Sequence, residues 1–230
     1  MNEKKTTYSG LFVIIAMAYV TCLMISNLVA GKMWALTESI TLPAAVILFP
    51  VTYIFGDVFT EVYGFVRARL IIWMGFFCSF FAVVMYLVTI ALPHPQFWQN
   101  QDAFAIVLGT TPRVFIASLA GYLFGEFSNS MVLSKMKVAT KGRKLWMRTI
   151  GSTIVGEALD SCLFVTISFA GTLPQKQLLT MILCQYLFKV IFEAVCTPLT
   201  YQVVNFLKKK ENLDTFDTEV CYNPFMKKVS

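Results

Sequence analysis

Charge is scarce in this chain and histidine almost absent. Asp, Glu, Lys and Arg make up 14% of the 230 residues, and His94 is the single histidine. Soluble domains carry about 25% charged residues, so water does not solvate most of this surface. With His94 isolated in Pro93-His94-Pro95, and no CxxC among six cysteines, neither a zinc site nor a disulfide framework has its ligands. Five of those cysteines, Cys22, Cys78, Cys162, Cys184 and Cys196, fall in apolar stretches where cysteine acts as a small hydrophobe. No Walker A, GxSxG or HExxH pattern occurs, which removes the usual marks of ATP hydrolysis, acyl transfer and zinc proteolysis. The expectation is a protein that is not an enzyme and uses no cofactor and no metal.

What fills the chain instead is apolar: 57% of it is hydrophobic, above the roughly 45–50% of soluble domains. A spanning helix needs about 20 mostly apolar residues, and the runs predict six, at about 10–31, 41–60, 68–92, 113–134, 149–171 and 178–207. The expected fold class is all-α: one polytopic domain over 1–230, a six-helix membrane bundle with tails 1–9 and 208–230. The first run passes into Ser26-Asn27-Leu28-Val29-Ala30-Gly31-Lys32 without a small-residue cleavage pattern, so it reads as a retained helix. Pro43 and Pro50 interrupt the second run and predict either an ordinary proline kink or a functional break. The segment 93–112 is polar and proline-flanked, with Phe97, Trp98 and Phe104 spaced for an element lying at the headgroups, or for a lid.

Lysine and arginine are distributed unevenly between alternate loops. Lys4, Lys5, Arg67, Arg69, Lys135, Lys137, Lys141, Arg143, Lys144, Arg148 and Lys208-Lys209-Lys210 fall on one side, against Lys32, Lys176 and Arg113 on the other. The positive-inside rule then predicts a cytoplasmic-membrane protein with both termini in the cytoplasm. The net charge of +6 thus reports topology, and the basic loop from Lys135 to Arg148 suits anionic lipid better than nucleic acid.

Against this apolar background a few charges lie within the spans themselves: Glu126, Glu157, Asp160, Lys189 and Glu193, with Asp57 and Glu61 close behind. Each costs about 2.5–3.5 kcal/mol at a helix centre, so such residues pair or line a polar path. Transport is the first expectation. Glu157, Asp160 and Ser161 share one helix face, where two like charges need a cation, a donor or a shared proton. Lys189 is the one deeply placed cation, and Glu193 lies four residues on, at the spacing of a direct pair. A structural Lys–Glu pair with one protonated carboxyl is the plainer alternative. Glu126 precedes Asn129 and Ser130 and follows the Gly121/Gly125 pair, a spacing that permits close helix approach within the chain or in a homodimer. Asp57, Thr60, Glu61 and Tyr63 cluster beside Arg67 and Arg69, where screened interfacial pairs are worth little. The substrate-binding candidates are Asn27, Asp57, Glu61, Glu157, Asp160, Gln185, Lys189 and Glu193, with Trp73 as a stacking ring. Carboxylates beside aromatics suit a flat, donor-rich or cationic solute; a nucleobase, a polyamine and a vitamin all remain open on these residues alone.

The stretches Ser26 to Lys32, Phe49-Pro50-Val51-Thr52-Tyr53-Ile54-Phe55-Gly56-Asp57, Thr60-Glu61-Val62-Tyr63-Gly64, Gly151-Ser152-Thr153 through Gly156-Glu157 to Asp160-Ser161, and Phe188-Lys189-Val190 resemble the queuosine precursor transporter family, also called the vitamin uptake transporter family. The resemblance spans nearly the whole chain. It implies an importer of 7-deazaguanines (7-cyano-7-deazaguanine, 7-aminomethyl-7-deazaguanine or queuine) for queuosine in transfer RNA, with Asp57, Asp160 and Lys189 at family positions. It also implies an architecture similar to the substrate-binding membrane subunits of energy-coupling-factor importers. Those subunits dock an ATPase partner through small residues four apart on the first helix, whereas here Val20 lies four after Ala16. A stand-alone carrier without an obligatory ATPase partner is expected, a partner-dependent subunit for another vitamin or nucleobase being the alternative.

Overall fold

The computed structural model describes residues 8–37, 40–109, 112–171, 173–218 and 220–225. Lys4 and Lys5, counted above for topology, lie outside the described residues. Seven α-helices are formed: α1 (Gly10–Val29), α2 (Phe49–Val58), α3 (Phe65–Ala91), α4 (Gln101–Leu108), α5 (Pro112–Ala139), α6 (Leu145–Phe169) and α7 (Gln175–Glu211). Among the described residues six helical segments are long and apolar enough to cross a membrane, so the chain is an all-α, multi-pass membrane protein. Their outer faces carry the large apolar side chains that lipid requires, such as Met17, Phe81, Leu183 and Val195.

The second span, expected at about 41–60 with a kink or a break at its prolines, is interrupted. Two short antiparallel strands, Met33–Thr37 and Ile40–Pro43, form a hairpin that the sequence reading did not foresee. A 3-10 turn at Ala44–Ile47 follows, then α2, then a π-helical turn at Phe59–Tyr63. Pro50 sits in the first turn of α2, where its missing N–H breaks no helical bond. The interruption is therefore a break before the helix, not a kink within it. This span is also the innermost: 72% of its most apolar stretch is buried, against 28% for α1 and α3. Segment 93–112 contributes α4, which buries no residue and is tied to the end of α3 by Gln101 Nε2 donating to the Ile90 carbonyl at 2.8 Å.

The closest seam in the bundle joins α5 to α6. A Cβ on Gly156 would stand 2.9 Å from the Gly125 carbonyl oxygen, and one on Gly125 would stand 3.0 Å from that of Gly156. On Gly121 it would meet Asp160 Oδ1 at 2.6 Å. The Gly121/Gly125 pair thus faces α6 of its own chain.

At the end where α2, α5 and α7 finish, Glu61 is completely enclosed and bridges to Arg148 at 2.8 Å, Lys208 at 2.7 Å and Lys137 at 3.6 Å. This corrects the expectation of a weak, screened cluster with Arg67 and Arg69: the partners come from three other helices, and Glu61, Lys137 and Arg148 are buried. The chain beyond α7 folds back over the same end. Asp217 accepts from the Phe65 backbone N–H at 2.9 Å and from Ser134 Oγ at 2.5 Å, capping α3 from a distance of 152 residues. Gly64, at φ +84°, makes room for it, since any Cβ there would meet Thr215 at 2.7 Å. Burial alone would push the Asp214 carboxyl up, but hydrogen bonds from Lys137 and Lys208 and their charges hold it below the usual carboxylate range.

Two stability measurements in detergent follow. Gly156→Val should lower the thermal midpoint by the equivalent of about 1–3 kcal/mol of overpacking, while Gly10→Ala, whose Cβ meets nothing within 4 Å, should leave it unchanged; equal midpoints would deny the seam. Glu61→Ala should cost roughly 3–5 kcal/mol, because the cations it pairs are left uncompensated. A neutral effect would mean that the basic end is solvated.

Candidate functional site: a buried cluster of carboxylates around Lys189

Along helices rising about 1.5 Å per residue, Glu157 lies about 18 Å into α6, and Lys189 and Glu126 about 21 Å into α7 and α5. Glu126 and Glu157 are thus midway along α5 and α6, and Lys189 meets Glu157 at that level. α7 turns Gln185, Lys189 and Glu193, four residues apart, toward the interior, and all three are buried. The Lys189 ammonium reaches across to α6, pairing with Glu157 Oε2 at 2.7 Å and with Asp160 Oδ2. It is 1% exposed, so the pair sits where its Coulomb attraction is least screened and its desolvation cost greatest. The Lys189–Glu193 pair that the spacing of four allows is not formed: among the described residues Lys189 bridges only to α6, because inward rotation of α7 points its ammonium at the helix opposite.

Two rings of the second span complete the cluster. Phe49 lies 5.0 Å and Tyr53 5.8 Å from Lys189 Nζ, with the ammonium over their faces. One turn further, Asp57 Oδ1 accepts from Asn129 Nδ2 of α5 at 2.7 Å. Glu126 and Glu193 are buried with no hydrogen-bond partner on either carboxyl oxygen, and Tyr53 Oη and Gln185 Oε1 are likewise unpartnered. Five carboxyls therefore gather in the region of one ammonium, which bridges two of them, Glu157 and Asp160, and several acceptors stand unused. Chemically this can grip a donor-rich edge or a cation, and it has a flat apolar wall beside it.

The structure brings Asp57, Glu157, Asp160, Gln185, Lys189 and Glu193 of the candidate set together. Three others stand apart. Glu61 is occupied by its cations at the basic end. Asn27 accepts from Ser118 Oγ at 2.6 Å and donates to Ser79 Oγ at 3.2 Å, beside a cavity of about 20 Å³. That volume holds a water but no organic solute. Trp73, expected as the stacking ring, lies two turns into α3 near the basic end and donates to the Pro224 carbonyl at 2.9 Å. It borders a groove of about 330 Å³ whose lining, including Phe124, Phe127, Met131 and Phe225, holds no charge to pair with a polar edge. The rings that do reach the cluster, Phe49 and Tyr53, were missed as binding residues, although their spacing of four around Pro50 would have put them on one helix face. Glu126 was read as an intramembrane charge but not placed among the binding residues.

A family model described as "Putative vitamin uptake transporter" matches residues 43–203. A protein of Bacillus subtilis (strain 168) named "Probable queuosine precursor transporter" is 26% identical over 204 residues, covering 88% of this chain and 86% of that protein. No solved structure matches the chain. The matched stretch, 43–203, contains Lys189, the five carboxyls of the cluster and both rings, and on that match the chain belongs to the vitamin uptake transporter family.

Proposed function

We propose that this chain imports queuosine precursors (7-cyano-7-deazaguanine, 7-aminomethyl-7-deazaguanine or queuine) across the cytoplasmic membrane for the modification of transfer RNA, with its basic end in the cytoplasm. The observation that carries the reading is the carboxyl pair Glu157 and Asp160 held around Lys189, buried near the middle of α6 beside Phe49 and Tyr53. A deazaguanine presents N1–H and an exocyclic amine side by side, which one carboxylate accepts as two parallel hydrogen bonds. Lys189 is the donor for the O6 carbonyl. The flat base lies against the rings, a contact worth about 1–3 kcal/mol, and the unpaired carboxyls provide for an aminomethyl cation. The name of the Bacillus subtilis relative supports the same class of solute. Solute reaches the cluster when the helices separate, since in this conformation every member of it is enclosed.

The test is uptake of labelled 7-aminomethyl-7-deazaguanine and queuine into liposomes holding only this purified chain, with guanine and a polyamine as competitors. Saturable uptake is expected, displaced by guanine-type bases more than by the polyamine. Binding without uptake would instead indicate a subunit needing an energising partner. Asp160→Asn should reduce uptake about tenfold to a hundredfold, the loss of one charge-assisted hydrogen-bonded contact, with membrane levels intact. Uptake at the parent rate in that variant would remove Asp160 from the site.

A further inference from the structure

Glu126 belongs to neither charge network. It is 0% exposed, and among the described residues neither of its carboxyl oxygens has a hydrogen-bond partner. Its place is nonetheless built: Oε1 lies only 1.8 Å from where a Cβ on Gly56 would stand. The carboxyl fills the socket left by the missing side chain on α2, against bare backbone. The ionisable groups facing it are Tyr19 from α1, Tyr53 and Asp57 from α2, Tyr122 from α5, Glu157 and Asp160 from α6, and Lys189 and Glu193 from α7. Cys78 of α3 faces Tyr122 behind it. The one cation in that set is already bridged to Glu157 and Asp160. Independently of the acids, the Tyr53 hydroxyl is buried among them without a partner.

A carboxylate enclosed with neither a donor nor a free cation is strongly unfavourable, and the neutral acid form relieves that cost. Among the described residues no three acidic, histidine or cysteine groups converge on a metal ion, whereas a proton needs a single acceptor. We infer that Glu126 is a proton-binding site, filled in this closed conformation and exchanging with water when the bundle opens. The O–H bond forms on Glu126 from an aqueous proton on one side. It breaks when the bundle opens again, the proton returning to water while Lys189 keeps its own. Closure around solute then carries that proton with it. This coupling rests on the transport reading above, but the occupancy of Glu126 does not.

Infrared spectroscopy of the purified protein at neutral pH reads the occupancy without any solute. The carbonyl stretch of protonated carboxyl groups should be present, and Glu126→Gln, a neutral isostere, should remove one group's share of it. An undiminished band in that variant overturns the inference, as does a band that vanishes when sodium ions replace potassium in the buffer, since a metal cation would then be the occupant. If Glu126→Gln does not fold, Glu126→Asp serves: it keeps a protonated carboxyl but should displace the band, and an unmoved band overturns the site. In liposomes an inward acid gradient should drive deazaguanine accumulation in the parent protein and not in Glu126→Gln. Accumulation driven equally in both overturns the coupling. Absence of transport in the parent counts against the solute assignment, and the infrared result still decides the proton site.

Discussion

One ammonium group in the middle of the bundle, Lys189, is shared between Glu157 and Asp160 of the neighbouring helix, and the arrangement of the interior depends on it. Without it α6 would present two like charges to a hydrocarbon-lined interior. With it α7, otherwise a lipid-facing helix, must turn Gln185, Lys189 and Glu193 inward along one stripe. That rotation fixes which face of α7 meets lipid and brings the ammonium over Phe49 and Tyr53. The second span can supply those rings because it is broken before Pro50 and enclosed by the others.

Small residues set the distances. Gly125 and Gly156 let the α5 and α6 backbones approach until carbonyl oxygen replaces side chain at the contact, and Gly121 admits the Asp160 carboxyl. Gly56 does the same for Glu126. Two glycines are thus the complement of two acids: Asp160 and Glu126 each occupy volume that a neighbouring helix has vacated. Such a fit leaves little slack, so any movement that opens the cluster must separate whole helices.

The two charged regions of the chain follow opposite logic. At the basic end Glu61 is compensated by Arg148, Lys137 and Lys208 from three different helices, and the folded-back tail adds Asp217 as a cap on α3. That region is a fastening. In the interior, five carboxyls accompany one ammonium that bridges only Glu157 and Asp160, and among the described residues Glu126 and Glu193 have no hydrogen-bond partner, an excess of acceptors that fastening does not require. Under-compensated polar groups inside a membrane bundle are retained where something else binds them, and it is this imbalance, more than burial itself, that separates the site from the scaffold.

The sequence by itself determined the class: apolar runs of spanning length and the uneven lysine and arginine distribution specify a six-span helical bundle, because lipid demands internally bonded backbone. It also marked out Asp57, Glu157, Asp160, Gln185, Lys189 and Glu193, since an ionisable or amide group in an oily run is conspicuous without any coordinates. Only the tertiary structure decided the partners. Spacing of four made Glu193 the natural mate for Lys189, yet the ammonium crosses to α6, because the rotation of α7 is a property of the packed bundle. Trp73 and Phe49 are equally aromatic in the sequence; the fold takes one to the tail and the other to the lysine. Glu61 and Glu126 likewise read alike as acids near helix ends or glycines. The physical difference between them, salt bridges to three cations for Glu61 and to none for Glu126 among the described residues, lies in contacts between residues far apart in the chain, which local pattern does not encode.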